Sequence, residues 1–89
     1  MVEYEISENL KKTLKKTYKK DRVRYEAALK KIDEVVGCED LDHYKNLRHN
    51  MKDLKRVHID THFVLTFRVD KNLKKVFFEA LDHHDKIYR

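Results

Sequence analysis

The chain has 89 residues, of which 42% are charged and 40% hydrophobic, with 21 Lys and Arg against 16 Asp and Glu for a formal charge of +5. This length suits one small domain (residues 1–89) with a modest core, and periodic apolar residues argue against disorder. A single cysteine, Cys38, excludes an intramolecular disulfide and a multi-cysteine zinc site; no stretch reads as a signal peptide or membrane span, so a cytoplasmic location is expected. The basic balance fits a polyanion binder without separating RNA, DNA and an acidic protein.

Val2, Tyr4 and Ile6 alternate with Glu3 and Glu5, which predicts a short first strand. Ser7 is a suitable N-cap for a helix carrying Leu10, Leu14 and Tyr18 at four-residue spacing. Lys11, Lys12, Lys15, Lys16, Lys19 and Lys20 cover its other side. Asp21 can cap a second helix with an apolar stripe of Tyr25, Ala28, Leu29, Ile32, Val35 and Val36, closed by Gly37 at C′. Residues 38–50 read as a polar connection with Glu39, Asp40 and Asp42.

From about Leu54 the period changes to two. Val57 and Ile59 share one face, and Arg56 and His58 the other. Beyond a turn near Asp60 and Thr61, Phe63, Leu65, Phe67 and Val69 face one way, with His62, Val64, Thr66 and Arg68 opposite. Asp70, Lys71 and Asn72 form a second turn, and Val76 to Leu81 is a nearly continuous apolar strand with Phe77 and Phe78 on opposite faces, though core is the default for both. The sum is an α+β fold: a short N-terminal strand, a two-helix hairpin and a C-terminal antiparallel β-meander. The helices are expected to cover the Phe63/Leu65/Phe67 face and to leave the His58/Arg68 face open.

Residues 11 to 31 contain ten Lys or Arg and two acids. A solvated helix face explains such a stripe as well as a phosphate-tracking surface does. The histidines are more specific. His58, His62, His84 and His83 fall on or beside neighbouring strands, and imidazoles exchange protons near neutrality. Cleaving RNA needs a base for the 2′-OH, an acid for the departing 5′ oxygen and cations for the charge gathered at phosphorus. Arg68, Lys55 and Arg56 can supply that charge, and Tyr88 can stack on a base. Zinc competes, through His58 and His62 at i and i+4 with His83, His84 and Asp85. A turn separates the first two, so no metal or cofactor is expected. A basic sheet with incidental surface histidines is the plainer alternative, and His43 and His49 read as loop residues.

The run His58-Ile59-Asp60-Thr61-His62-Phe63-Val64-Leu65-Thr66-Phe67 and the ending Phe78-Glu79 through His84 to Tyr88 resemble RelE/ParE-superfamily toxins, most of all the YafQ-type mRNA interferases. The order of elements is similar over nearly the whole chain. The resemblance implies a RelE-like microbial RNase fold and a ribosome-dependent endoribonuclease that cuts mRNA in the A site without metal. It also implies neutralisation by a cognate RelB-like antitoxin, with ribosome and mRNA as the other partners. Carried over by position, His58 and His84 take the proton-transfer and transition-state roles, and Tyr88 the place of the terminal aromatic. His62 stands where that branch usually has Asp and can also exchange protons. Lys45 aligns with an upstream histidine and can bind phosphate. Val64 stands where RelE proper has an arginine. A ParE-like inhibitor of DNA gyrase and a degenerate basic RNA-binding module are the alternatives.

Overall fold

A computed structural model describes residues 3–41, 44 and 54–87. The elements run β1 (Glu3–Ile6), α1 (Glu8–Lys20), α2 (Arg22–Val36), β2 (Leu54–His58), β3 (Phe63–Asp70), β4 (Lys75–His83) and α3 (His84–Ile87). The sheet order is β1-β4-β3-β2. The expected meander is present as antiparallel β2–β3 and β3–β4 pairs. β1 lies parallel to β4, and the helical hairpin carries the chain from β1 to β2 at the opposite edge of the sheet.

Ser7 is the first hinge. Its Oγ accepts from Leu10 N at 3.0 Å, capping α1, and donates to Glu79 O at 2.6 Å, while its backbone N–H donates to Phe78 O at 2.9 Å. One residue thus starts the helix and fastens it to β4. Asp21 is the second hinge: its N–H closes α1 on Thr17 O at 2.8 Å, and its carboxylate caps α2 through Arg24 N at 3.0 Å. Two capping side chains therefore set both helix starts, as their residue types suggest.

The hairpin covers one face of the sheet. Leu10, Leu14, Ala28, Ile32, Val35 and Val36 pack with Leu65, Phe67, Val76, Phe78 and Leu81, and Phe67 and Phe78 have no solvent exposure. Val76, Phe78 and Leu81 share this face despite their uneven spacing. The β3–β4 register shifts between Thr66, opposite Ala80, and Phe67, opposite Phe78, so Glu79 is an extra residue in β4. This bulge resets the side-chain alternation. It also leaves the Glu79 carbonyl that Ser7 occupies.

Several expectations are corrected. Tyr18 and Leu29 are 46% and 37% exposed, so neither belongs to the buried stripe. Tyr18 instead meets Tyr25 edge to face at 5.0 Å, with the Arg22 guanidinium 4.0 Å from its ring. Gly37 is the C-cap, at φ −85° and ψ −4°, an ordinary right-handed conformation rather than a left-handed C′. A Cβ there would meet Asp33 O at 3.4 Å, so nothing in this turn demands glycine. Phe77 is only partly buried and lies on the open face under Arg68, whereas Phe78 is core. The open face is not bare either: Val64 and Thr66, on the inner strand β3, are buried.

Candidate active site

The β2–β3 connection is the origin of the site. Asp60 Oδ1 accepts from His62 N at 2.8 Å and Phe63 N at 2.9 Å, an Asx-type turn that lets the chain reverse without glycine. Ile59 N then donates to Phe63 O at 2.9 Å, closing the hairpin. This puts His58, at the end of β2, opposite Val64, which is itself opposite Asp82 on β4. The carbonyl of His62 accepts from His84 N at 2.6 Å, which draws the start of α3 against the turn.

Four imidazoles converge at this end of the sheet, and they form two pairs. His58 and His84 stand with ring centroids 6.0 Å apart and planes inclined by 32°. Both are exposed, and His58 shares its face with Arg56 and Thr66. His62 stacks on His83 at 5.8 Å with only 10° between planes. His83 also meets Phe63 edge to face at 5.5 Å, and Phe63 packs against the helix-side core. The second pair therefore belongs to the helix side of the sheet end and the first to the open side. His62, grouped with His58 by alternation, is separated from it by the Asp60 turn.

Asp85 touches both neighbouring imidazoles differently. Its N–H donates to His83 Nδ1 at 3.1 Å, so a neutral His83 carries its proton on Nε2. Its carboxylate lies 3.5 Å from His84 Nδ1. A proton on that nitrogen is favoured there, which leaves His84 Nε2 as the lone-pair acceptor. An acceptor imidazole facing a second imidazole across 6.0 Å is an arrangement that can pass protons on and off a group held between them.

The cations fall out unevenly. Arg56 lies on the His58 face, with its Nε shielded from solvent. Arg68 is on the same face but opposite Leu54, at the far end of β2 from His58. Four residues of β3 separate its row from that of His58, roughly 13 Å. Its guanidinium pairs with Glu79 at 3.5 Å and lies 4.4 Å from the Phe77 ring. Lys55 is a correction: it is buried on the core side, and its Nζ donates to Tyr44 O at 3.3 Å, so it is not available to RNA. Lys45 and Tyr88 lie outside the described residues, as do His43 and His49.

Sequence reasoning did not single out Arg24. Its Nε donates to Asp60 Oδ2 at 3.1 Å, Nη1 lies 3.3 Å from Asp21, and the guanidinium covers the Phe63 ring at 3.8 Å. Burial alone would raise the Asp60 pKa. Hydrogen bonds from His62 N, Arg24 and Phe63 N, with the Arg24 charge, outweigh it and hold the carboxyl below its ordinary value. The signal was an acid in a turn; its partner sits on a distant helix among many similar cations.

Against known proteins, no family model matches the chain. A protein of Methanocaldococcus jannaschii named "Putative toxin RelE4" is 51% identical over all 89 residues, which span 93% of that protein. The chain belongs to the RelE/ParE toxin superfamily. An uncharacterized protein of Methanosarcina mazei is 46% identical over 93% of this chain and 94% of its own length. The fold is that of solved toxins in the superfamily. A YoeB/ParE toxin from Agrobacterium tumefaciens superposes with a TM-score of 0.74 at 12% identity, covering 92% of this chain and 98% of that one. The toxin–antitoxin complex RelBE of E. coli gives 0.71 at 20% identity, covering 91% and 94%. YafQ of E. coli gives 0.65 at 16% identity over the whole of both chains. Among the described residues of this toxin, no helix is long and apolar enough to cross a membrane.

Proposed function

We propose that this toxin is a ribosome-dependent endoribonuclease that cleaves mRNA in the ribosomal A site. The observation that carries the reading is the His58–His84 pair, exposed and facing across 6.0 Å on the open side of the sheet. One imidazole takes the 2′-OH proton, and the 2′ oxygen attacks phosphorus. The other protonates the departing 5′ oxygen, leaving a 2′,3′-cyclic phosphate and a 5′-hydroxyl. His58 and His84 are the two proton-transfer groups, with the Asp85 carboxylate 3.5 Å from His84 Nδ1. Arg56 offsets charge gathered at the phosphate. A gyrase inhibitor has no use for two imidazoles so placed.

The rest of the reading follows from the family. The 89 residues form one toxin domain acting in the cytoplasm, held inactive by a cognate RelB-like antitoxin. Solved relatives occur as toxin–antitoxin complexes, among them RelBE and DinJ–YafQ of E. coli. The exposed α1 lysines provide electrostatic steering towards ribosomal RNA. The test is single-turnover incubation of the toxin with programmed ribosomes in the presence of a chelator specific for transition metals, so that ribosomal Mg²⁺ is kept. Codon-phased cuts ending in 2′,3′-cyclic phosphate, and absent with His84→Ala, are expected. Intact mRNA together with inhibited gyrase supercoiling would replace this reading by the ParE-like one.

A further inference from the structure

Catalysis by two imidazoles on separate elements requires something to fix their separation, and neither ring is held by burial. The β2–β3–β4 ladder sets the rows they stand on, and a chain of interactions ties both to one turn. These interactions begin at Asp21, which caps α2 through Arg24 N and meets the Arg24 side chain at 3.3 Å. Arg24 crosses to Asp60 at 3.1 Å and lies over Phe63 at 3.8 Å. Asp60 fixes the backbone of His62 and Phe63. The His62 carbonyl then receives the N–H of His84, while Phe63 O receives the N–H of Ile59, next to His58. Both imidazoles are therefore referenced to a single turn, and one guanidinium from the helical hairpin anchors it.

We infer that Arg24 and Asp60 are positioning residues that set the spacing of His58 and His84 by clamping the β2–β3 turn to the start of α2. The inference rests on the nuclease reading for its kinetic consequence but not for its structural one. Arg24 does not touch the reacting groups; it acts through Asp60 and the turn backbone. A cation that only attracts RNA would behave differently, because a lysine would replace it and its removal would weaken binding. Lysine cannot span Asp21 and Asp60 with a planar fork, nor cover Phe63 in the same way.

The experiment uses the full chain with Arg24→Gln, Arg24→Lys and Asp60→Asn. Asp60→Asn retains an oxygen for the two backbone N–H groups while losing the ion pair, so it tests the clamp even if Arg24→Gln folds poorly. Two readouts are taken: the NMR cross-relaxation between the His58 and His84 ring protons, and kcat and KM on programmed ribosomes. Arg24→Gln and Asp60→Asn are expected to weaken the ring–ring cross-peak and to lower kcat by up to about 10²-fold with little change in KM, as for a misplaced catalytic group. Arg24→Lys restores this only in part. An undiminished cross-peak in both Arg24→Gln and Asp60→Asn overturns the inference, as does full recovery of kcat by lysine. If the wild type cleaves no RNA, the nuclease reading fails, and the cross-peak alone decides the clamp.

Discussion

Alanine replacement of His58 and His84, singly and together, with His62→Ala for comparison, distinguishes one catalytic pair from a diffuse cluster. A well-placed proton-transfer group contributes about 10²–10⁴-fold, or roughly 3–5 kcal/mol of barrier. Each single variant should lose at least the lower figure. The rings face each other at 6.0 Å and serve the same phosphodiester, so the double variant should lose much less than the product of the single losses. His62 stacks on His83 at 5.8 Å, and His83 meets Phe63 edge to face, away from the His58–His84 pair, so His62→Ala should cost less than about tenfold. The assay is single-turnover cleavage of an A-site codon on saturating ribosomes, with thermal denaturation confirming that each variant folds. Strictly multiplicative losses, or a His62→Ala defect equal to that of His84→Ala, would refute the pairing.

Three further outcomes follow from the fold. Ser7→Ala removes the α1 cap and the donor to Glu79 O, and should destabilise the protein by roughly 1–3 kcal/mol in urea titrations; a change below a few tenths would mean that neither bond matters. Asp60 has a lowered pKa when folded, so its contribution to stability is complete above the ordinary carboxylate value of 3.8 and is lost as pH falls below it through the folded value. Acid unfolding of Asp60→Asn should be correspondingly flatter below that pH, and an identical profile would contradict the assignment. Lys15→Ala with Lys16→Ala, on the exposed side of α1, should weaken ribosome binding and reduce its salt dependence by about one unit of slope for each phosphate no longer neutralised; an unchanged slope would mark the stripe as merely solvated.

The architecture was legible because local signals agreed. Ser7 and Asp21 act as caps, and alternation at residues 63–69 places Leu65 and Phe67 in the core. β4 was harder, since its bulge at Glu79 breaks the two-residue period that carries such reasoning. At the site, His58 and His84 could be named as residues, but not as a facing pair distinct from His62 and His83. The Asp60 turn interrupts alternation between β2 and β3, so parity assigned His62 to the wrong companion. Lys55 was misassigned for a related reason: it has the parity of Val57, on the core side, and its charge suggested a phosphate ligand where its position did not. Arg24 could not be selected at all. Its role depends on an ion pair across the fold, with nothing local to distinguish it from the neighbouring cations.

The central claim is most directly tested by mapping mRNA 5′ ends by primer extension after brief induction of the wild type and of His84→Ala. The account predicts growth arrest with new ends at in-frame codon positions, both abolished by His84→Ala. Growth arrest with intact mRNA, or cleavage that persists in His84→Ala, would contradict it.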